Sequence, residues 1–418
     1  FGKAWSWNPE VHDRVAAPEV VTRETLEPFP VTWHQVWKTM GQMPKAKTPG
    51  PSRFRNELLI FAPSIVAVAL IHPVPKKGDL SRIENYRPIS LTETLRKLYE
   101  KCLQPVLTRM IEPLDVAQGG FREKRSTLED VVALHETIVQ RKAATGRNPI
   151  VAYLDIKAAY DTVHRGRLWH LLWERGTTRG MIATLKALFD GNTSRVGIMG
   201  ATSRTIAQPM GLLQGSILSP ILYAGFIDAL AGRIRRVSNV SLGGHCLGGF
   251  FYADDIAIVA DTPADLERML GECELHSLQN GYRFNPTKCE IVAEDDVDTA
   301  GCRLYQQPLL RSRHFVYLGI TMDVRGIAKE AHVTRLAEKA NSSIAIARTI
   351  GMNGKGFSMA VKKRIYETFI RPKFEYGVAI IPPTAKMMAM LQRVQYRALC
   401  AMMSVGRGWV SAGAGLKP

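Results

Sequence analysis

The stretch that most restricts the fold of this chain is a short acidic segment between two apolar runs, from Phe250 to Ala260. Two adjacent carboxylates, Asp254 and Asp255, separate two runs that have the length and composition of β-strands. This pattern predicts a tight β-hairpin with an acidic tip. Adjacent carboxylates repel each other unless a cation lies between them, and divalent cations prefer oxygen ligands. A solvated turn is the competing interpretation, because Asp is common in turns.

A second acidic position lies about a hundred residues earlier in the chain. Residues 149–155 read Pro-Ile-Val-Ala-Tyr-Leu-Asp, which predicts a buried strand that ends in Asp155. A carboxylate at the end of a core strand is costly unless it is paired or binds a metal ion. Asp155 is therefore the predicted second half of a site with the acidic hairpin.

The length and composition of the chain indicate a globular protein with more than one domain. Its 418 residues are too many for one compact core. No uninterrupted apolar run reaches the roughly 18 to 20 residues of a membrane span, and we expect no membrane partner. The six cysteines lack the spacing of a zinc site, which favours free buried thiols.

Positive charge is concentrated in the last part of the chain. The net charge of +17 favours a polyanionic partner, either nucleic acid or an anionic membrane surface. Residues 341–418 contain twelve lysines and arginines against two glutamates, a net charge of +10. From Val333 onward apolar residues recur at helical spacing, which predicts three helices with a basic exterior. We favour contact with a nucleic-acid backbone over a merely solubilising surface, because solubilising surfaces usually mix both signs of charge.

Other segments predict local structure around these two features. Residues 71–91 predict two strands joined by a turn at Lys76, Lys77 and Gly78, and Arg87 on the second strand is suited to phosphate oxygens. Ser126 and Thr262 are predicted helix N-caps. Residues 315–320 predict a strand.

Two glycine-containing segments suggest close approaches of the backbone to other groups. Gly119 and Gly120 precede Phe121 and Arg122, and paired glycines at this position indicate a close contact. The dipeptide at residues 214–215, Gln-Gly, can present an amide and open backbone to a flat ligand. It can equally be an ordinary turn before a helix, with the serine at position 216 as the cap.

Taken in order, these motifs resemble the reverse transcriptase domain of non-LTR (LINE-type) retrotransposons, with group II intron reverse transcriptases the next closest. The resemblance extends from about Lys45 to Arg397. It rests on the following strings: Thr48–Pro51, Asn85–Ser90, Gln118–Arg122, Leu154–Asp161, Gln214–Pro220, Tyr252–Asp255, Asn285–Lys288 and Tyr317–Gly319.

The resemblance implies an α+β right-hand polymerase fold. The palm would contain an antiparallel sheet with packed helices, and the thumb would be all α-helical with three helices. The implied divisions are an N-terminal extension over 1–45, fingers over 46–150, a palm with interleaved finger elements over 151–325, and a basic helical thumb over 326–418.

The resemblance also implies a two-metal nucleotidyl-transfer site. Asp155, Asp254 and Asp255 would be the catalytic carboxylates and, with the backbone of Ile156, would hold two Mg²⁺ ions, for which Mn²⁺ could substitute. The same comparison implies that Tyr160 lies under the sugar of the incoming nucleotide and selects dNTPs.

The remaining implied roles concern the nucleotide and the nucleic acid. The nucleotide would be bound by Tyr160, Arg87, Lys76, Lys77, Gln214, Gly215 and Lys288. The nucleic acid would be bound by Phe121, Arg122, Lys362, Lys363, Arg364, Arg371, Lys373, Arg393 and Arg397.

The function implied is an RNA-directed DNA polymerase that extends a DNA or RNA primer on an RNA template with dNTPs. A catalytically idle relative that binds RNA as a scaffold in a ribonucleoprotein, with other proteins as partners, is the alternative, and an RNA-dependent RNA polymerase is a third possibility. No endonuclease or RNase H pattern accompanies these motifs, so we expect either a fragment of a larger protein or a domesticated relative. The resemblance favours the nucleus and leaves an organelle open.

Overall fold

The computed structural model describes Gln35, Lys38, Thr39 and residues 68–403, apart from Lys77 and Lys355. The chain forms two compact units. The first comprises the described residues up to Arg125, together with Ala152–Glu290 and Asp298–Leu310. The second comprises Ser126–Val151, Ile291–Val297 and the described residues from Arg311 onward.

Strands and helices are interspersed along the described part of the chain. The strands are β1 (Val68–Pro75), β2 (Tyr86–Leu91), β3 (Ile150–Asp155), β4 (Thr193–Ile198), β5 (Ala201–Thr202), β6 (Ile206–Ala207), β7 (Ser241–Leu242), β8 (His245–Cys246), β9 (Gly249–Tyr252), β10 (Asp255–Ala260), β11 (Glu290–Val292), β12 (Arg303–Leu304), β13 (Gln307–Pro308), β14 (Leu310–Arg311), β15 (Phe315–Tyr317), β16 (Ile320–Asp323) and β17 (Gly326–Ile327). The α-helices are α1 (Thr94–Ile111), α2 (Thr127–Thr145), α3 (Arg165–Glu174), α4 (Arg179–Phe189), α5 (Ser219–Val237), α6 (Pro263–Asn280), α7 (Lys329–Thr349), α8 (Met359–Ile365), α9 (Arg371–Glu375) and α10 (Ala385–Met403).

Two sheets position the candidate site in the first unit. In one, β1 pairs antiparallel with β2 and parallel with β4. In the other, β3 lies beside β10, which pairs antiparallel with β9. The residues of β3 and β10 are almost entirely buried, which explains their continuous apolar sequences. The mixed content of helices and strands confirms the predicted α+β class.

The second unit has an all-helical core around α7 and α10. Val333, Leu336 and Ala340 on α7 pack with Leu391 and Val394 on α10. These are the apolar positions whose spacing predicts helices in the basic segment. The middle helix of the three differs from the prediction, because it is divided into α8, a π-helical turn at Tyr366–Ile370 and α9.

Local signals at helix ends are confirmed. The Ser126 side chain accepts a hydrogen bond from the backbone of Glu129, and the Glu129 side chain accepts one from the backbone of Ser126, which forms a complete capping box. Thr262 caps α6 in the predicted way. Among the described residues, no helix is both long and apolar enough to cross a membrane.

Two short segments differ from the sequence prediction. The connection between β1 and β2 runs from residue 76 to residue 85 and includes a 3₁₀ turn at Ile83–Asn85, so it is longer than the predicted Lys-Lys-Gly turn. The predicted strand over 315–320 is instead a hairpin, β15 and β16, with a turn at Leu318 and Gly319. Both residues of that turn have positive φ angles, of 45° and 85°, which interrupt an extended strand.

Candidate active site

The acidic hairpin forms as the sequence predicts. Tyr252 pairs with Asp255, so Ala253 and Asp254 are the two central residues of the turn between β9 and β10. Ala253 has a φ of 62°. A positive φ at the first central position is typical of hairpin turns that usually carry Gly there, so an Ala at this position needs support from its surroundings.

Asp155 reaches the same region because β3 is adjacent to β10 in the sheet. The carboxyl end of β3 is fixed by the segment that follows α6. The Asn285 backbone N–H donates to the Asp155 carbonyl at 2.8 Å, and the Cys289 sulfur accepts from the Asp155 N–H at 3.3 Å. The same segment brings Lys288 Nζ to 3.9 Å from Asp155 Oδ2. The structure therefore brings together three carboxylates and one predicted lysine.

The three carboxylates influence one another electrostatically. They reach solvent, but dense surroundings desolvate them in part and raise the pKa of each one. The pKa of Asp255 rises to about 6, mainly through burial and then through the charges of Asp254 and Asp155. The Arg87 guanidinium opposes the rise in the pKa of Asp254 and Asp255. This negative charge, which the nearby cations offset only in part, favours a bound cation.

The oxygen atoms at this site are chemically suited to bind a hard divalent cation. Carboxylate and carbonyl oxygens are the ligands that Mg²⁺ prefers. Ile156 lies in an antiparallel bridge with Phe284, and the hydrogen bonds of that bridge are made by Asp155 and Lys157. The Ile156 carbonyl therefore points away from the Phe284 segment. Among the described residues, however, no three His, Cys, Asp or Glu side chains lie in an arrangement that could by itself hold a metal ion.

Tyr160 lies on a second aromatic side chain. Its ring stacks on that of Tyr223, with the centroids 5.0 Å apart and an angle of 10° between the planes. Tyr223 belongs to α5 and is almost completely buried. Burial raises the pKa of the Tyr160 hydroxyl, and the Asp254 carboxylate raises it further. The predicted sugar-contacting ring therefore rests on a rigid support beside the acidic turn.

Gln214 and Gly215 lie close to β2, and both contact other residues of the protein. Gln214 Nε2 donates to both carboxylate oxygens of Asp161, at 3.3 and 3.4 Å. The Ser90 N–H donates to the Gln214 carbonyl at 2.7 Å. A Cβ at Gly215 would lie 2.3 Å from the Ser90 carbonyl oxygen, and this contact accounts for the glycine.

The serine at position 216 does not cap the following helix, which corrects one of the two interpretations of this turn. Its hydroxyl donates to the buried Glu100 at 2.9 Å, and the Ile217 N–H donates to the same oxygen at 2.8 Å. Glu100 is also paired with Arg96 at 2.7 Å. No sequence pattern indicated the contact of Glu100 with this turn, because Ser216 and Ile217 lie far along the chain.

The basic residues of the β1–β2 region are partly described. Arg87 and Lys76 are exposed, and Lys76 lowers the pKa of Asp155 and Asp161 by its charge. Lys77 lies outside the described residues. The Thr48–Pro51 string also lies outside them.

The segment with paired glycines approaches the acidic turn. A Cβ at Gly120 would lie 2.4 Å from the Ala253 backbone nitrogen. Phe121, with a φ of 60°, is partly exposed. The Arg122 guanidinium donates to Glu112 and to the Asp115 and Gln118 carbonyls, and its contact with nucleic acid stays a prediction. Arg122 thus stabilises its own loop.

The predicted nucleic-acid contacts on the C-terminal helices fall into two groups. Lys363, Arg364, Arg371, Lys373, Arg393 and Arg397 are exposed. Several also have protein partners, since Arg371 pairs with Glu375 at 2.7 Å and Lys373 donates to Ser343 at 2.6 Å. Lys362 is the exception and a correction. It is buried, and its ammonium donates to the Met402 carbonyl at 3.0 Å, so it stabilises the end of α10.

Comparison with known proteins identifies the family of this chain. Residues 74–322, more than half of the chain, match the family described as "Reverse transcriptase (RNA-dependent DNA polymerase)".

The relatives that the chain resembles come from mobile elements. It is 23% identical to the RNA-directed DNA polymerase from mobile element jockey of Drosophila funebris, over 90% of this chain and 44% of that protein. It is 25% identical to a Pol polyprotein from a type-1 retrotransposable element R2 of Popillia japonica, over 61% of this chain and 38% of that protein. The chain thus spans less than half of either relative.

Among solved structures, apo telomerase from Candida tropicalis superposes with a TM-score of 0.46 at 10% identity, over 89% of this chain and 68% of that one. The sequence matches confirm the resemblance to reverse transcriptases of non-LTR retrotransposons. The chain belongs to the reverse transcriptase (RNA-dependent DNA polymerase) family.

Proposed function

We propose that this chain is an RNA-directed DNA polymerase that extends a primer 3′-hydroxyl with dNTPs on an RNA template. The observation that carries the proposal is the meeting of Asp155 with Asp254 and Asp255 at the ends of neighbouring strands. Members of this family generally use divalent metal ions. A site with three carboxylates of raised pKa has the charge that such ions require.

Each residue of the site would have a distinct task. Asp155, Asp254 and Asp255, with the Ile156 carbonyl, would hold two Mg²⁺ ions, or Mn²⁺ in their place. When bound, such ions stabilise the attacking and leaving oxygens of an in-line phosphoryl displacement. Lys288, whose Nζ lies 3.9 Å from Asp155 Oδ2, would contact the phosphates of the incoming nucleotide.

Other side chains would bind and select the nucleotide. Arg87, with Lys76 and Lys77, would bind the triphosphate, because a guanidinium can donate two parallel hydrogen bonds to phosphate oxygens. The Tyr160 ring would lie under the sugar and exclude a 2′-hydroxyl. Gln214 and Gly215 would line the base side of the pocket.

The nucleic acid would be bound mainly through its phosphates. Phe121, Arg122 and the exposed basic residues of the C-terminal helices would contact the template–primer duplex, and Lys362 is left out of this surface because it is buried. In this proposal the fingers extend over 46–150, the palm over 151–325 and the thumb over 326–418. Phosphate contacts recognise duplex shape rather than sequence.

Primer extension on an RNA template with Mg²⁺ and dNTPs is the direct test. We expect wild-type protein to extend the primer, Asp254→Ala to abolish extension, and Asp295→Ala, at a strongly exposed carboxylate, to leave it unchanged. Extension that survives Asp254→Ala would refute the assignment of the site. Tight RNA binding without incorporation in Mg²⁺ or Mn²⁺ would favour the idle scaffold, and a preference for rNTPs would favour an RNA polymerase.

A further inference from the structure

The stretch from Ala117 to Gly120 runs beside the acidic hairpin as an extra edge. The Phe251 N–H donates to the Ala117 carbonyl at 2.9 Å, and the Gly119 N–H donates to the Phe251 carbonyl at 2.7 Å. Gln118 and Phe251 form a parallel bridge. The backbone of β9 is therefore held immediately before the turn that carries Asp254.

The Gln118 side chain continues this contact to the turn itself. It is completely buried, and its Oε1 accepts from the Gly120 N–H at 3.1 Å and from the Ala253 N–H at 3.4 Å. The chemistry fixes the orientation of this amide, because two N–H donors require an oxygen and would repel the NH₂ group. One side-chain oxygen thus links the loop to the first central residue of the acidic turn.

Close packing against Gly120 also restricts Ala253. A Cβ at Gly120 would lie 2.4 Å from the Ala253 nitrogen and 3.0 Å from the Tyr252 carbonyl carbon. Ala253 has the left-handed backbone conformation that residues other than Gly, Asn and Asp rarely adopt. A turn of this kind persists only when its surroundings hold it in place.

Gln118 also carries a stability cost that an apolar residue would not have. Its Nε2 group is buried and has no hydrogen-bond partner in the part of the chain that the structure describes. A buried donor without a partner is unfavourable. Keeping a glutamine here is understandable if its carbonyl oxygen is needed at Ala253.

We propose that Gln118 is a positioning residue for the active site, which holds Ala253 in its left-handed conformation and so sets the direction of Asp254. The inference rests on the proposed function for its catalytic consequence. Gln118 acts through the backbone of the turn and not by contact with the substrate.

The test compares three variants with the wild type by hydrogen exchange. Gln118→Met keeps the length of the side chain and removes the acceptor, whereas Gln118→Glu keeps an oxygen that can accept from both N–H groups. Gln140→Met, at an exposed position of α2, is the control for the chemical change. We expect the peptide containing the Ala253 amide to exchange about tenfold faster in Gln118→Met and at the wild-type rate in the other two.

The functional measurements separate positioning from general stability. At equal thermal midpoints, Gln118→Met should lower kcat about tenfold with KM for dNTP unchanged, because small displacements of a catalytic group reduce the rate strongly. It should also weaken Mn²⁺ binding, measured directly on the protein by electron paramagnetic resonance. If Gln118→Met fails to fold, Gln118→Asn, whose shorter side chain withdraws the oxygen, replaces it.

Two outcomes would overturn the inference. One is wild-type exchange at Ala253 in Gln118→Met, and the other is faster exchange with unchanged kcat and unchanged Mn²⁺ affinity. A wild-type protein that extends no primer would refute the proposed function alone. In that case Mn²⁺ affinity decides about Gln118: weaker binding in Gln118→Met supports the inference, and equal binding overturns it.

Discussion

Asp255 and Arg364 are both charged residues at the protein surface, yet the groups around them differ. Asp255 lies in dense surroundings with Asp254 and Asp155 nearby, and its pKa rises to about 6. Arg364 lies exposed on α8 in a segment with other basic residues and with acidic partners such as Glu367, which is 3.7 Å from Lys363. The first group of charges is concentrated and partly desolvated, whereas the second is spread out and solvated.

The comparison shows how sensitive each region should be to substitution. Charges in a desolvated site act strongly on one another because water screens them poorly. Charges on an exposed helix face are screened, and each contributes little by itself. We therefore expect single substitutions to abolish function at the acidic turn and to have graded effects on the C-terminal helices.

The largest effect is expected for Asp155→Asn. Primer extension should fall by about 10³-fold or more, because the variant removes a charge at the point where metal ions would be held. RNA binding, measured by filter retention or fluorescence anisotropy, should stay within about twofold of wild type, since phosphate contacts dominate affinity. A large loss of RNA binding in this variant would break the distinction between the two regions.

Gly120→Ala should have the next largest effect. Its Cβ would approach the Ala253 nitrogen to 2.4 Å, and backbone atoms on both sides cannot withdraw cheaply. We expect about 10²-fold lower activity, since a small displacement of the turn misplaces Asp254. Gly271→Ala is the matched control, because Gly271 lies on α6 with open space around it and should be stabilised by up to about 1 kcal/mol. Equal activity of Gly120→Ala and Gly271→Ala would contradict the described contact.

Asp161→Asn should change the pH dependence of stability. Burial raises the pKa of Asp161 from 3.8 to about 6, although the hydrogen bond from Gln214 opposes the rise. Between about pH 4 and pH 6 the unfolded chain releases this proton while the folded chain keeps it, so stability falls as pH rises. The variant should be about 2 kcal/mol more stable than wild type at pH 7, with no difference near pH 4.

Chemical denaturation at several pH values, without added metal, measures this difference. Asp295→Asn, at a carboxylate that is 88% exposed, should leave the pH dependence unchanged. A pH-independent difference between Asp161→Asn and wild type would show that charge burial is not its cause.

The smallest effect is expected on the basic helices. Arg364→Gln and Arg393→Gln should each weaken RNA binding by up to about threefold and lower the salt dependence of log K by about one unit. Lys386, which pairs with Glu330 at 3.3 Å, provides the control variant Lys386→Gln, with no expected change. A loss above about tenfold from one arginine would mean that this surface contains a concentrated site after all.

Features determined by nearby residues could be predicted from the sequence. The capping box of Ser126 depends on a residue three positions away, and the acidic hairpin depends on the apolar runs on either side of Asp254 and Asp255. Asp155 was expected at this site because a carboxylate at the end of a buried strand needs a partner or a metal ion, and its place beside the hairpin follows from the neighbouring strands β3 and β10.

Features that depend on contacts far along the chain could not be predicted in the same way. The paired glycines indicated a close approach, but not that Gly120 meets Ala253. Lys362 lies in a run of basic residues and has no local signal that distinguishes it from Lys363, although only Lys362 is buried. Gln118 carries no motif that indicates its support of the turn.

The burial of Lys362 has a consequence for how the chain can be shortened. Its ammonium is held by a carbonyl in the last turn of α10, at Met402, so the end of that helix serves as the counter-group for a charge inside the helical core. Removing the final turn would delete this hydrogen bond to a buried ammonium, which is unfavourable. Any truncated version intended to keep the second unit folded should therefore retain the chain through Met403.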